Sequence, residues 1–439
     1  MFTRQIGIRL VLLALVLPLA LGSAGGKVTA AVALVQPPDI RAQSAILIEL
    51  NSGQVLYSKG AEQAMYPASL TKLLTALVVL KYGGELEQTV AVGREVWWVR
   101  PNSSRAGLQL HDRISLRNLF YALLLPSGND AAYVAAVHTA RAYVGDPALS
   151  IEAALQTFCA LMNQEAERLG AKNSNFVNPD GYHDDRHYST ARDLALIAGQ
   201  VLKQQFLRQV VGQAQITVEY VNQGRRISRS YVNTNRLINP EDPLYYPQAV
   251  GLKTGTTALA GASLAAAASA NRMDLVAIVL NSDHTGRWSD SRALLDYGFG
   301  TYQFLQLCAA DQPQAEVKLA SRLPGFYADA ALISQQEAEV FIAKADSQRV
   351  ARQFVFDPAA VTHRDGVAVV QSHLQPGDVV GELVFALDQE QIAVVPLVLG
   401  EGELVYRPSS GAMVAIALAT VLLGICGYLL YRQHYSKNV

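Results

Sequence analysis

The segment YPASLTKLLTALVVLKYGG, residues 66–84, combines a helix pattern with a possible nucleophile. Apolar residues recur at helical spacing over 69–82, and a pair of glycines stops the pattern. Ser69 and Lys72 are three residues apart at its start, so their side chains share one helix face. In a dry cleft, desolvation lowers the pKa of a lysine, and a neutral Lys72 amine could then take the Ser69 proton. Serine is also a common helix cap, so this segment alone does not decide the function.

The segments on both sides of this helix predict a mixed fold. Two short β-rich runs, 44–50 and 54–58, surround Asn-Ser-Gly and are typical of a hairpin. Further helix patterns cover 116–125 and 151–169, another begins at Thr190, and strand patterns return from Gln215, including 261–270 and 275–280. The order of strands, helices and strands predicts an α+β fold. Its antiparallel sheet would join the first and last strands, with a helical block inserted between them.

A second polar motif, Ser-Gly-Asn at 127–129, follows the proline that ends the helix pattern at 116–125. The turn could aim the Ser127 hydroxyl and the Asn129 amide into the molecule. Taken alone, the motif equally suits an ordinary connection between two helices.

A third motif, Lys253-Thr254-Gly255, lies on a predicted strand. A glycine there would let a substrate backbone approach the strand edge with no side chain between them. The Lys253 cation and the Thr254 hydroxyl suit a substrate carboxylate. Lys-Thr-Gly is also a plausible strand end, so it too is weak evidence alone.

Together, and in this order, the three motifs resemble the active-site set of serine penicillin-recognising enzymes: Ser-x-x-Lys, Ser-x-Asn and Lys-Thr-Gly. The chain is most similar to the low-molecular-mass D-alanyl-D-alanine carboxypeptidases, peptidase family S11. The resemblance also covers 178–181, 187–193, 251–280 and a β-rich segment around 376–381. It implies the fold shared by serine β-lactamases and DD-peptidases, followed by a small β-rich domain.

The resemblance implies a role for each matching residue. Ser69 would attack the carbonyl between two terminal D-alanines, with Lys72 as its base. The backbone N–H groups of Ser69 and Thr256 would form the oxyanion hole. Ser127 would relay protons, and Asn129 would bind the acyl-chain amide. The segment Lys253, Thr254, Gly255 would bind the substrate through its terminal carboxylate.

Arg287 aligns with a family arginine near the substrate carboxylate, so the resemblance implies a substrate-binding role for it. The alternative is a solvent-exposed arginine at the start of a helix. The neighbouring Trp288 is bulkier than the family pattern suggests, which leaves the local geometry open.

The ends of the chain predict export and anchoring. Residues 1–33 combine arginines, an apolar run and small residues, as in a signal peptide. Residues 411–431 contain no charge and match the roughly 20 residues of a membrane-crossing helix. The basic tail 432–439 favours a cytoplasmic C-terminus, with the rest outside the cell. An uncleaved N-terminal anchor, and a C-terminal helix lying on the membrane rather than crossing it, are the alternatives.

Between these ends we predict a catalytic domain at 40–307 and a β-rich domain at 309–405, which would serve as a spacer or docking module. The expected partners are peptidoglycan stem peptides ending in D-Ala-D-Ala, with β-lactam antibiotics as covalent inhibitors. A formal net charge of −1 and the lack of a basic stretch argue against nucleic acid. No cofactor is expected. The His-Asp-Asp-Arg-His run at 183–187 lacks zinc-ligand spacing and contains an arginine, so no metal is expected either.

Three other functions share parts of this pattern. A class A β-lactamase needs a deacylating glutamate with an asparagine four residues later. No such pair follows Ser127, because the residues four positions after Glu165 and Glu167 are Leu169 and Ala171. An inactive peptidoglycan-binding scaffold would not need three intact motifs. An endopeptidase that cleaves cross-links uses the same carbonyl with a different leaving amine, and the sequence does not separate it from a carboxypeptidase.

Overall fold

A computed structural model describes residues 36–364, 367–401 and 405–435, with the backbone alone for 433–435. The predicted signal peptide and the end of the predicted tail lie outside the described residues.

The first part of the chain alternates strands and helices. In chain order these elements are β1 (Ser44–Glu49), β2 (Val55–Lys59), α1 (Thr71–Tyr82), β3 (Thr89–Ala91), β4 (Asp112–Ser115), α2 (Leu116–Leu124), α3 (Asn129–Val144), α4 (Ile151–Arg168), α5 (Ala191–Lys203), α6 (Gln205–Val211), β5 (Gln215–Asn222), β6 (Arg225–Val232), β7 (Ala249–Thr257), β8 (Gly261–Ala270), β9 (Met273–Ser282) and α7 (Gly286–Thr301). Short 3-10 helices form at Ala68–Leu70, Arg94–Trp98 and Arg236–Ile238.

The second part is built almost entirely of strands. They are β10 (Tyr302–Cys308), β11 (Pro313–Ala320), β12 (Phe326–Ser334), β13 (Ala338–Ala343), β14 (Ala351–Phe356), β15 (Val361–Arg364), β16 (Val367–Val370), β17 (Val379–Leu387), β18 (Glu390–Leu399) and β19 (Arg407–Pro408), with a 3-10 helix at Lys344–Arg349 and a final helix α8 (Ser410–Tyr435).

The central sheet has five strands in the order β2-β1-β9-β8-β7, and all its neighbours are antiparallel. β1 pairs with β9 in a register that places Ile46 opposite Ile278. The first and last strands of the region therefore meet, as predicted. Side chains alternate between the two faces, so Ala265 belongs to the core under the helical block while Leu264 belongs to the core shared with α7 residues such as Leu294.

The helical block encloses α1, whose residues 71–79 are all buried. Most of these side chains are apolar, and a helix with apolar residues around its circumference belongs in a core, which explains its position. The neighbouring helices begin at side-chain caps: Ser115 accepts a hydrogen bond from Asn118 N, and Thr190 accepts one from Asp193 N. The helix predicted to begin at Thr190 is confirmed, and Thr190 is its cap.

Two of the strands that follow Gln215 do not join the central sheet. β5 and β6 form a second sheet in the order β3-β4-β5-β6 beside the helical block. β3 and β4 are only three and four residues long, and such short strands carry little periodicity of their own.

The β-rich part contains an eight-stranded sheet, with β12 and β18 near its centre, and the separate pair β10-β13. It contacts the central sheet directly, because Phe341 of β13 belongs to the same buried cluster as Leu47 and Trp288. The Lys344 ammonium also donates to the Phe299 carbonyl at 2.8 Å. In α8, residues Ser410–Arg432 are long and apolar enough to cross a membrane.

Candidate active site

Ser69 lies in the 3-10 turn that leads into α1. The preceding residue, Ala68, is buried with φ of 48°, a left-handed conformation that is uncommon for a residue other than glycine. The Ser69 side chain is half-buried and lines a cleft of about 460 Å³ together with Asn129 and Thr256. A serine hydroxyl is thus presented to the cleft at the positive end of a helix dipole.

The Lys72 amine is fully buried directly behind this serine. Its Nζ lies 3.0 Å from Ser69 Oγ, 2.8 Å from Asn129 Oδ1 and 2.7 Å from the Asp180 carbonyl oxygen. Burial lowers the Lys72 pKa from 10.5 to about 8, although the charges of Asp180 and Asp130 oppose the shift. A neutral amine has two N–H donors, which suit the amide and carbonyl oxygens, and its lone pair is then free for the serine proton.

The Ser-Gly-Asn motif lies in the connection between α2 and α3. Ser127 is buried with φ of 61°, and Asn129 is the first residue of α3. The connection is held in place because the Asp130 carboxylate accepts the backbone N–H groups of Ala106 and Leu108, at 2.7 and 2.9 Å. The motif therefore keeps the Asn129 side-chain oxygen in hydrogen-bond contact with the Lys72 amine, in the same site as Ser69.

The Lys-Thr-Gly motif lies on β7, the edge strand of the central sheet. The Lys253 side chain is fully buried, and its Nζ donates to the Thr254 carbonyl at 3.1 Å and approaches Thr234 Oγ1 at 3.4 Å. Burial holds the pKa of Lys253 well below its ordinary value, and the charges of Lys72 and Arg287 act in the same direction. The Thr254 hydroxyl also donates to Thr234 Oγ1, at 2.6 Å.

Gly255 has a packing reason to be glycine in addition to the one expected from substrate approach. A Cβ at this position would lie 2.7 Å from Leu70 Cδ1 and 3.0 Å from the Pro67 carbonyl oxygen. The glycine thus lets β7 pack against the turn that carries Ser69. It controls how closely the third motif approaches the first.

Arg287 is attached to the motif strand rather than free at a helix start. Its Nη1 donates to Thr256 Oγ1 at 2.9 Å, and its guanidinium lies 4.7 Å from the ring centroid of the buried Trp288. The bulky Trp288 therefore supports the arginine. Among the described residues, the buried Arg287 Nε has no hydrogen-bond partner. A donor without a partner at this position suits an anionic ligand.

The loop at 178–181 lines the cleft and packs against the turn that carries Ser69. Gly181 has φ of 80°, and a Cβ there would lie 1.8 Å from the Ala68 carbonyl oxygen. The loop is held by Asn178 Oδ1, which accepts from Gly181 N at 2.8 Å, and by the Pro179 carbonyl, which accepts from the Thr75 hydroxyl at 2.7 Å. The loop therefore fixes the Asp180 carbonyl against Lys72.

His187 supports this arrangement from inside the protein. It is buried, its Nδ1 accepts from Val177 N at 3.2 Å, and its Nε2 lies 2.8 Å from Thr71 Oγ1. Burial lowers the His187 pKa to about 4, so the ring is neutral and its Nε2–H donates to Thr71. In the described part of the chain, no group of three or more metal-ligating side chains could hold a metal ion.

Glu165 has a structural partnership away from the cleft. It lies in α4, where its carboxylate binds the Lys81 ammonium at 2.8 Å and the Arg168 guanidinium at 2.6 Å. Both cations neutralise it. This geometry does not suit the deacylating glutamate of a class A β-lactamase.

Several partners in this site have no local signal in the sequence. Thr234 is 19 residues from Lys253, and Asp180 is 108 residues from Lys72. The fold alone brings them into contact. The run 178–181 is part of the resemblance to the family, but the resemblance does not indicate that this run contacts Lys72.

The structure thus joins a half-buried serine, a buried lysine of lowered pKa, a polar loop and a strand edge with a bound arginine. This combination defines a serine-type peptidase of the penicillin-recognising class. The chain belongs to the D-alanyl-D-alanine carboxypeptidase family, peptidase S11, whose family model matches residues 31–284.

The relatives agree with this assignment along most of the chain. The D-alanyl-D-alanine carboxypeptidase DacA of Haemophilus influenzae is 29% identical over 373 residues, which are 82% of this chain and 84% of that protein. The corresponding DacF of Bacillus subtilis is 27% identical over 363 residues, 82% of this chain and 85% of that protein.

Solved structures give the same result. Penicillin binding protein 5 from Haemophilus influenzae matches with a TM-score of 0.58 and 28% identity, over 84% of this chain and 100% of that one. The Streptomyces K15 DD-transpeptidase matches with a TM-score of 0.56 and 32% identity, over 60% of this chain and 99% of that one.

Proposed function

We propose that this protein is a D-Ala-D-Ala carboxypeptidase that removes the terminal D-alanine from peptidoglycan stem peptides through an acyl-enzyme on Ser69. The observation that carries the proposal is the 3.0 Å contact between Ser69 Oγ and the buried Lys72 amine of lowered pKa. A serine is a weak nucleophile without such a base.

In the first half of the reaction, Lys72 takes the hydroxyl proton while Ser69 Oγ attacks the carbonyl between the two D-alanines. The backbone N–H groups of Ser69 and Thr256 stabilise the negative oxygen of the tetrahedral intermediate. Collapse breaks the peptide bond, and the departing D-alanine amine receives a proton relayed from Lys72 through Ser127. Water then hydrolyses the ester, which releases the shortened stem peptide and restores the serine.

The remaining residues orient the substrate. The Asn129 amide holds the acyl-chain amide, while Lys253, Thr254 and Arg287 hold the terminal carboxylate beside Gly255. Support for the carboxylate role comes from the partnerless Arg287 Nε and from the contact of Arg287 Nη1 with Thr256. A β-lactam presents a carbonyl and a carboxylate at a similar separation, so it acylates Ser69 and inhibits the enzyme.

The proposed setting is the outer face of a bacterial membrane. Residues 1–33 would direct export, the candidate span Ser410–Arg432 would anchor the chain, and the β-rich region 309–405 would separate the active site from the lipid. No cofactor takes part in the proposed reaction.

The test is release of D-alanine from diacetylated L-Lys-D-Ala-D-Ala by the full chain in detergent, with purified cross-linked muropeptide dimers as the second substrate. Preferential release from the linear peptide supports a carboxypeptidase. Preferential cleavage of the dimer identifies an endopeptidase, and rapid turnover of penicillin identifies a β-lactamase. Penicillin binding with none of these activities identifies an inactive scaffold.

The acylation rate should rise with pH up to about 8. The Lys72 amine must be neutral to accept the serine proton, so each pH unit below its pKa reduces the reactive fraction by about tenfold. The measurement is the second-order rate constant for penicillin acylation between pH 5 and 9, in buffers in which thermal unfolding shows a folded protein. A rate that stays constant from pH 5 to 8 would rule out Lys72 as the titrating base.

Arg287→Gln should reduce kcat/KM for D-Ala-D-Ala peptides by about 10- to 100-fold, because a charge-assisted contact with the carboxylate contributes about 1.5 to 3 kcal/mol. The matched control is Arg292→Gln on the same helix, where the guanidinium lies over the Tyr246 ring at 5.9 Å. Comparing kcat/KM for the peptide acid with that for its C-terminal amide isolates the contribution of the contact between Arg287 and the carboxylate. An equal loss for acid and amide would contradict a carboxylate-binding role.

A further inference from the structure

A groove beside the catalytic cleft exposes two tryptophans. It has a volume of about 1310 Å³, and we call it the side groove, lined among others by Trp97, Trp98, Arg100, Tyr133 and Tyr182. The exposed fractions are 64% for Trp97 and 40% for Trp98. Tryptophan is highly buried on average, so both side chains, and Trp97 above all, leave an unusual amount of apolar surface open to a ligand. Adjacent exposed aromatic rings in a concave site are typical of ligand binding.

The segment that carries the tryptophans is held in one conformation. The buried Glu95 carboxylate accepts from Gly93 N at 2.7 Å. Arg105 donates to the carbonyls of Val96 and Val99, at 3.4 and 3.1 Å, and both valine side chains are buried. The backbone is therefore fixed from the inside while the two indoles face outward. Such a surface loses little conformational entropy when it binds a ligand.

The side groove adjoins the catalytic cleft. Pro101, Tyr182 and His183 line both cavities. If the D-Ala-D-Ala end of a stem peptide lies at Ser69, the rest of the peptide and the amino sugar that carries it must leave the cleft. The side groove adjoins the cleft and offers a surface for this continuation.

The charges of the side groove complement such a ligand. The Arg94 guanidinium lies 5.9 Å from the Trp97 ring and that of Arg100 lies 6.0 Å from the Tyr182 ring. Neither arginine is among the ion pairs of the described residues. Stem peptides carry free carboxylates, and the pyranose rings of the glycan present C–H faces that pack against indoles. An arginine already stacked on a ring has less freedom to lose on binding an anion.

We propose that the side groove binds the saccharide-bearing part of the peptidoglycan substrate, with sugar rings on Trp97 and Trp98 and a stem-peptide carboxylate on Arg100. This inference rests on the proposed function, because it assigns the part of the substrate that extends beyond the D-Ala-D-Ala end. A membrane surface is a different partner for exposed tryptophans. The concave form of the groove and the three residues that it shares with the cleft favour the substrate.

The test measures binding rather than catalysis. The full chain with Ser69→Ala, in detergent, is titrated calorimetrically with a disaccharide pentapeptide and with the same pentapeptide lacking sugar. Adding Trp97→Ala and Trp98→Ala should weaken binding of the disaccharide ligand by about tenfold, as expected for loss of an aromatic hot spot. Binding of the sugar-free pentapeptide should change less than about twofold. Arg100→Gln should weaken both ligands by a similar factor, because both carry the carboxylate.

The matched control is Tyr143→Ala, an aromatic residue on α3 that is 53% exposed and does not line the side groove in the described structure. It should leave both affinities unchanged. The proposal would be overturned if the tryptophan variant weakened binding of the two ligands equally, or did not weaken binding of either. Unchanged ligand affinity together with quenching of Trp97 and Trp98 fluorescence by brominated lipids, in the full chain reconstituted in vesicles, would also overturn it, in favour of a membrane surface.

D-alanine release by the wild-type chain is measured separately. If release is absent but the tryptophan variant still selectively loses the disaccharide ligand, the saccharide site stands and the carboxypeptidase proposal fails. If release is present and the two affinities fall together, the carboxypeptidase proposal stands and the saccharide site fails.

Discussion

Lys72→Met should lower the rate of Ser69 acylation by about 10³-fold, within the range expected for loss of a general base. The methionine is close in length, fits an apolar surrounding and has no proton acceptor of comparable basicity. Lys72→Arg should be no more active, because a guanidinium stays protonated and cannot take the serine proton. The measurement is the second-order acylation rate constant with a fluorescent penicillin, together with D-alanine release from the linear peptide.

Lys81→Met is the matched control for this experiment. Lys81 lies on the same helix, but its ammonium is partly exposed and pairs with Glu165 at 2.8 Å, outside the site. It should keep nearly full activity, because an ion pair of this kind contributes about 1 kcal/mol or less. If Lys72→Met acylates within tenfold of the wild type, Lys72 is not the base. Lys253, the other buried lysine of lowered pKa, would then be the candidate.

Gly181→Ala should destabilise the protein by at least about 3 kcal/mol and reduce acylation by about 100-fold. An added Cβ would lie 1.8 Å from the Ala68 carbonyl oxygen, so either the loop or the nucleophile turn must move. Either movement separates Ser69 from Lys72 or Lys72 from the Asp180 carbonyl. The measurements are the denaturant midpoint and the acylation rate under conditions in which the variant is folded.

Gly145→Ala separates the effect of backbone conformation from that of the clash. Gly145 also has a positive φ, 75° compared with 80° for Gly181, but no atom lies within 4 Å of a Cβ placed there. It should cost only about 1 to 2 kcal/mol, the price of a left-handed alanine, with acylation unchanged. Equal effects of the two substitutions on acylation would show that the contact between the loop and the nucleophile turn does not matter for the site.

The parts of the fold that were predictable from sequence depend on local patterns. The helix over 69–82, the helix that begins at Thr190 and the strands β8 and β9 follow from the spacing of apolar residues close together in the chain. The pairing of β1 with β9 follows from the order of the elements. Each of these features can be recognised from the residue pattern along the chain, without knowledge of the three-dimensional contacts.

The features that were not predictable depend on contacts between distant residues. Nothing near Asp180 indicates that its backbone carbonyl, rather than its side chain, binds Lys72. Gly255 was interpreted through the substrate, whereas its Cβ position points to Leu70 and Pro67 on another element. The side groove combines residues from several segments, so no local pattern around its two tryptophans indicates it.

Identification of the acylated residue tests the central claim most directly. The full chain in detergent is treated with benzylpenicillin, its intact mass is measured, and the modified peptide is sequenced by fragmentation, with Ser69→Ala as the control. The account predicts a single adduct with the mass of the antibiotic on Ser69, absent from the control. An adduct on another residue, or an adduct that persists in the control, would contradict it.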